Sequence, residues 1–101
     1  MPWMVETYDK PGCADLRSQL RPAHLDYLEA HKALLLACGA KLSDAGDVAS
    51  GGLYLLDVDT RAEAAAFIAA DPFAQGDLFQ RVVITRWRKA YLAGLNTLTE
   101  G

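Results

Sequence analysis

The chain has little of what marks the specialised protein classes. Two cysteines, Cys13 and Cys38, in 101 residues are too few for the disulfide framework of a small secreted domain, and no Cys-x-x-Cys spacing offers a zinc site. Both thiols are expected to be reduced, with the cytoplasm as location. The two histidines, His24 and His31, lack the i, i+4 step by which imidazoles on one helix share a metal. No apolar run approaches the roughly 20 residues of a membrane-spanning helix, and no charged-then-apolar leader opens the chain. A net charge of −3 leaves no basic excess. The short run Arg86-Trp87-Arg88-Lys89 lies on an expected strand, where its charges split between two faces, so nucleic acid is not expected as a partner. A Gly-rich phosphate loop and a Gly-x-Ser-x-Gly elbow are both missing. Neither a metal nor a cofactor is expected.

What is present reads as one globular domain over residues 1–101, with a core of about 3–91 and a tail at 92–101. Trp3 to Tyr8 is short, aromatic and β-branched and ends at Asp9-Lys10-Pro11-Gly12, a strand followed by a turn. After a polar stretch from Ala14 to Leu20 that offers a helical turn or two, Pro22 reads as the first turn of a long helix reaching Cys38, with Gly39 as its left-handed stop. A weaker strand is expected over 40–45, a loop over 46–52 and a clear strand over 53–58. Thr60-Arg61-Ala62-Glu63 has the form of a capping box, opening an alanine-rich helix to about Ala70. Asp71-Pro72 interrupts it, a turn follows, and Leu78 to Lys89 closes the domain as a strand. The order is β-α-β-β-α-β. This is the ferredoxin-like α+β pattern, an antiparallel sheet with two helices on one face.

The strands carry a second message. Leu53 and Leu55 point one way while Tyr54, Leu56 and Val58 point the other, and Val82 and Ile84 oppose Val83 and Trp87. Two apolar faces in a two-layer domain call for an outside cover, and a second copy packed sheet to sheet is the economical answer. A homodimer is expected, with Leu56 as a candidate contact.

Of the chemistry-bearing residues, His24 falls at the third position of a helix that starts at Pro22. There the free N–H groups and dipole favour a nearby anion. Asp71 offers a carboxylate on a rigid corner, and equally good turn chemistry. Asp57 and Asp59 share a strand end and read as solvent-exposed before the Thr60 cap. His31 reads as a helix-surface residue. Trp3, Tyr8, Trp87 and Tyr91 are either pocket or core aromatics.

Arg21-Pro22-Ala23-His24-Leu25 before Asp71-Pro72-Phe73 resembles the paired signatures of YciI-like proteins, and the resemblance runs from about Trp3 to Tyr91. It implies a dimeric α+β barrel with an active site around a histidine and an aspartate, here His24 and Asp71. It departs in one place, since Gly46 is followed by Asp47 where similar proteins often carry a Gly-Pro turn. On this reading His24 is the general acid or base and Asp71 orients it, with Arg21, Phe73 and Tyr8 touching a small oxygenated substrate. No nucleophile completes a triad. Proton-transfer chemistry of lyase or isomerase type is therefore expected, and a dimeric module that only binds a small anion is the alternative.

Overall fold

The computed structural model describes residues 1–98, so the last three residues of the expected tail lie outside the described ones. Strand β1 (Trp3–Asp9) alternates buried and half-buried residues, as a strand with one covered face must. Pro11 and Gly12 then turn the chain, with Gly12 in the left-handed region at φ +72°. Helix α1 (Ala14–Ala30) follows and contains Pro22 in its interior. The missing N–H of Pro22 orphans the Ser18 carbonyl, and both residues are exposed, so water meets what the helix does not. The helix expected from Pro22 to Cys38 is thus displaced towards the N-terminus. It starts at Ala14, ends at Ala30 with His31 as its C-cap, and is followed by a 3-10 turn at Lys32–Leu34.

The residues beyond that turn are strand. β2 (Leu35–Leu42) includes Cys38 and Gly39 and pairs antiparallel with β3 (Ala49–Leu56). Gly39 is therefore a ladder residue opposite Leu53 and not a helix stop. Thr60 caps α2 (Arg61–Ala70) as its spacing implies: its Oγ1 accepts from the Glu63 amide at 3.1 Å. Asp71 ends α2 and at once caps the short helix α3 (Pro72–Gln75). Strand β4 (Phe79–Arg86) completes a sheet of order β2-β3-β1-β4, in which every pairing is antiparallel. Beyond it, β5 (Tyr91–Leu92) and β6 (Leu95–Asn96) form a separate hairpin. The fold is α+β and ferredoxin-like, with its helices on one face of the sheet.

Trp3, Val5, Tyr54, Leu56, Val58, Ala64, Phe67 and Ile68 form the core between that face and the helices. Leu56 has no exposed surface and belongs to this core, so it is not a contact for a second copy. Leu53 and Leu55 take the opposite face with Met4 and Val83, to which the strand registers align them. Among the described residues no helix is long and apolar enough to cross a membrane.

Candidate functional site

Local chemistry fixes Asp71. A residue before proline is steered to extended backbone, and Asp71 has φ −63° and ψ 132°. From there its Oδ1 accepts from the Phe73 amide at 2.8 Å, the N-cap bond of α3. The carboxylate is fully buried, a costly position unless donors surround it. Three do. Besides the Phe73 amide, Tyr54 Oη donates to Oδ2 at 2.9 Å, and His24 Nδ1 lies 2.8 Å from Oδ1 and 2.9 Å from Oδ2.

These contacts assign the histidine tautomer. A carboxylate only accepts, so the ring nitrogen between its two oxygens carries the proton. In the neutral ring Nε2 is then the basic nitrogen, and it has no hydrogen-bond partner among the described residues. Phe73 stacks on the same imidazole, with centroids 3.8 Å apart and planes 12° from parallel. His24 is thereby held in one orientation by a hydrogen-bonding carboxylate at its edge and an aromatic ring on its face. It does not stand at a helix N-terminus, because α1 begins at Ala14; the expected anion site at the helix end does not exist at this position.

A cavity of about 190 Å³ opens beside the ring, between α1 and strands β1 to β3, and His24, Arg21, Phe73, Tyr54, Arg17 and Thr7 line it. Small residues make room on its strand side, where Ala40 and Gly52 face it from paired positions of β2 and β3. Arg17 is held at the wall by Asp9 at 2.6 Å and lies 4.7 Å from the Phe73 ring centre. Arg21 is exposed and has no ion-pair partner among the described residues.

Four of the five residues singled out from the sequence therefore meet: His24, Asp71, Arg21 and Phe73. Tyr8 does not join them. Strand alternation puts it on the opposite sheet face from Thr7, with Lys41 Nζ 3.3 Å from its ring centre and Arg81 beyond at 5.2 Å. His31 caps the end of α1, its Nδ1 3.0 Å from the Tyr27 carbonyl. Asp57 and Asp59 lie with it along a separate shallow groove. No group of three His, Cys, Asp or Glu converges as a metal-binding set among the described residues.

Sequence reasoning missed Tyr54, Thr7, Arg17, Cys38 and Gly52 as cavity residues. For Tyr54 and Cys38 the obstacle was pairing, since they are opposite one another across β2 and β3. Burial, then the Asp71 charge, pushes the Tyr54 phenol well above the ordinary tyrosine range, which keeps it a donor. Desolvation of the sulfur, then the Asp71 charge, pushes the Cys38 thiol up to about 11, although the residue as a whole is exposed. A thiol in that state is a poor nucleophile near neutral pH.

The family model for YCII-related domains matches residues 1–88. The chain belongs to that family. Among solved structures, the 5-chloro-2-hydroxyhydroquinone dehydrochlorinase TftG of Burkholderia phenoliruptrix AC1100, in complex with 2,5-dihydroxybenzoquinone, is similar with a TM-score of 0.81. Its sequence is 27% identical, and the match covers 87% of this chain and 94% of that one. An antibiotic biosynthesis monooxygenase aligns at a TM-score of 0.48 and 14% identity, over 86% of this chain and 97% of its own. Rv0793 of Mycobacterium tuberculosis aligns at 0.49 and 15% identity, over 86% and 93% respectively. No curated protein matches the sequence.

Proposed function

We propose that this YCII-family chain catalyses a lyase-type elimination on a small oxygenated molecule, with His24 as the proton carrier and Asp71 as the residue that positions it. The observation that carries the reading is the two-oxygen clamp of Asp71 on His24 Nδ1, which reserves the other ring nitrogen for the cavity. In the reaction Nε2 takes a proton from a substrate O–H or C–H. The electron pair left behind forms a new π bond, and the leaving group departs with its own bonding pair. The imidazolium so formed is paired with Asp71. Similarity to a dehydrochlorinase supports elimination over isomerisation, which the same base would serve.

The second reading is a module that holds a small anion without transforming it, and Arg21, at the cavity and without an ion-pair partner among the described residues, favours it. A panel of halogenated and unhalogenated hydroxylated rings separates the two, with 2,5-dihydroxybenzoquinone as the first binding probe. Binding is read by thermal shift, and halide release and product spectra are read for each hit. Turnover that falls about a hundredfold in folded His24→Ala supports the acid–base reading. Unchanged turnover in that variant removes His24 from the chemistry. Stabilising ligands that are all recovered intact leave the binding module.

The second copy on the open sheet face is also part of the proposal. Met4, Leu53, Leu55 and Val83 supply its apolar contacts, and Leu53 is 37% exposed in the single chain.

A further inference from the structure

Thr7 has only 1% of its surface exposed, and its hydroxyl is buried with no hydrogen-bond partner among the described residues. Buried hydroxyls are nearly always paired, so an orphan on the wall of a cavity asks what pairs it. The strand does not require a threonine here: the neighbouring covered position of β1 is Val5, fully buried in the core. Valine would fill the same volume without the penalty of an unmade bond.

The residue opposite Thr7 points the same way. Gly52 is its partner across β1 and β3, and it too lines the cavity. A Cβ at Gly52 would lie 3.3 Å from Thr7 Oγ1, 3.4 Å from the Gly39 carbonyl oxygen and 3.4 Å from the Tyr54 ring. The lack of a side chain there leaves no Cβ pressed against the buried hydroxyl. At Gly51 the glycine has another reason, because a Cβ would collide with the Thr7 backbone carbonyl.

We infer that Thr7 Oγ1 is a substrate-recognising group, which hydrogen-bonds an oxygen of the bound molecule in a slot kept open by Gly52. This deepens the elimination reading and rests on it. The cavity also limits the ligand. At about 190 Å³ it is smaller than the roughly 300–1,000 Å³ of pockets for drug-sized molecules, so it takes a single ring or something comparably small. Arg17 is already neutralised by Asp9, whereas Arg21 is unpaired among the described residues and lines the same cavity. The class is therefore a small polyoxygenated molecule with a neutral oxygen at Thr7 and an acidic oxygen towards Arg21. A hydroxyl both donates and accepts, so Thr7 serves a carbonyl or a hydroxyl form, as an elimination that turns one into the other requires.

The test compares Thr7→Val, Thr7→Ser and Gly52→Ala with the unaltered protein, using 2,5-dihydroxybenzoquinone as the titrated probe. Thr7→Val should melt no lower than the unaltered protein without ligand, because it removes an unsatisfied group, yet bind the probe about tenfold or more weakly. Thr7→Ser should retain most of the binding. Gly52→Ala should fold and bind weakly, by filling the slot. Equal affinity in Thr7→Val, or a clear loss of its unliganded stability, overturns the inference. The second result would mean that the hydroxyl has a structural role. Failure of the unaltered protein to bind the probe overturns the ligand class. The acid–base reading is decided separately by turnover of His24→Ala on the wider panel, so the two readings fail by different measurements.

Discussion

Phe73 lies flat against His24, with 3.8 Å between ring centres, while its backbone amide donates to the carboxylate that grips the same imidazole. One residue thus touches both members of the pair. Its ring fixes the plane of the histidine and its amide fixes one oxygen of Asp71. Phe73→Leu keeps the amide and removes the stacked ring. We expect a stability loss of about 1–2 kcal/mol by thermal or urea unfolding, since the ring is almost wholly buried. Turnover should fall several-fold through kcat with KM little changed, because orientation and not binding is lost. A change confined to KM would make Phe73 a binding residue instead.

Cys38 gives a pH prediction. Cys38 is exposed at the residue level, yet desolvation of its sulfur by the surrounding protein and the Asp71 charge raise its thiol from an ordinary 9.0 to about 11. Alkylation of Cys38 should accordingly be slow near neutrality, with its rate rising towards pH 11. The same shift links pH to stability. The unfolded chain releases this proton before the folded chain does, so the contribution is intact below about pH 9 and is lost as pH rises towards 11. Unaltered protein should lose stability over that window more steeply than Cys38→Ser. Parallel curves would show that the thiol is free to ionise in the folded state. Bound ligand should also protect Cys38 from alkylation, as the thiol side of β2 lines the cavity.

What was legible in the sequence was local chemistry. The Thr60–Glu63 cap, the Asp71-Pro72 corner and the alternation of β1 each depend on neighbours within a few residues. The first helix was misplaced because Pro22 has the chemistry of a first turn, yet α1 runs through it; its actual N-cap, Cys13, makes no side-chain capping bond and leaves no signal. The stretch Leu35-Leu36-Ala37-Cys38 is neutral between helix and strand by composition. Pairing with β3, more than ten residues away, decides it. The candidate site divides along the same line. His24 and Asp71 were found through short motifs that match a family. Tyr54, Thr7 and Gly52 reach the cavity only because β1 and β3 pair in one register, and no local pattern encodes that register. Tyr8 suits a pocket by type, but its place in the alternation sends it to the other face.

That alternation gives a paired prediction for association. Leu55 lies on the open face and Leu56 in the core with no exposed surface. If two copies pack through the open face, sedimentation of the unaltered protein should report twice the chain mass at micromolar concentration. Leu55→Asp should then give a folded monomer, since an unpaired charge is costly to bury at an interface. Leu56→Asp should unfold the chain by placing the same charge in the core. A monomeric unaltered protein would exclude the sheet-to-sheet dimer.

Asp71→Asn separates the catalytic and structural demands on the site. The native carboxylate accepts from His24 Nδ1, Tyr54 Oη and the Phe73 amide at 2.8–2.9 Å. An amide has one acceptor oxygen and an NH2 that can only donate. If its oxygen stays with the Phe73 amide, its NH2 takes the place of Oδ2 and faces His24 Nδ1 and Tyr54 Oη. The imidazole then relieves the donor–donor conflict by moving its proton to Nε2, which makes Nδ1 an acceptor. The fold would survive, with a cost of about 1–3 kcal/mol for bonds poorly remade in a buried place. The base, however, would now present an N–H to the cavity. Turnover should therefore fall by about a hundredfold or more, comparable to His24→Ala, while affinity for an unreactive probe changes little. Nitrogen NMR of the imidazole reads the tautomer directly: protonated Nδ1 in the unaltered protein and protonated Nε2 in Asp71→Asn. Retained activity with an unchanged tautomer would show that Asp71 serves the fold alone and that His24 needs no orienting partner.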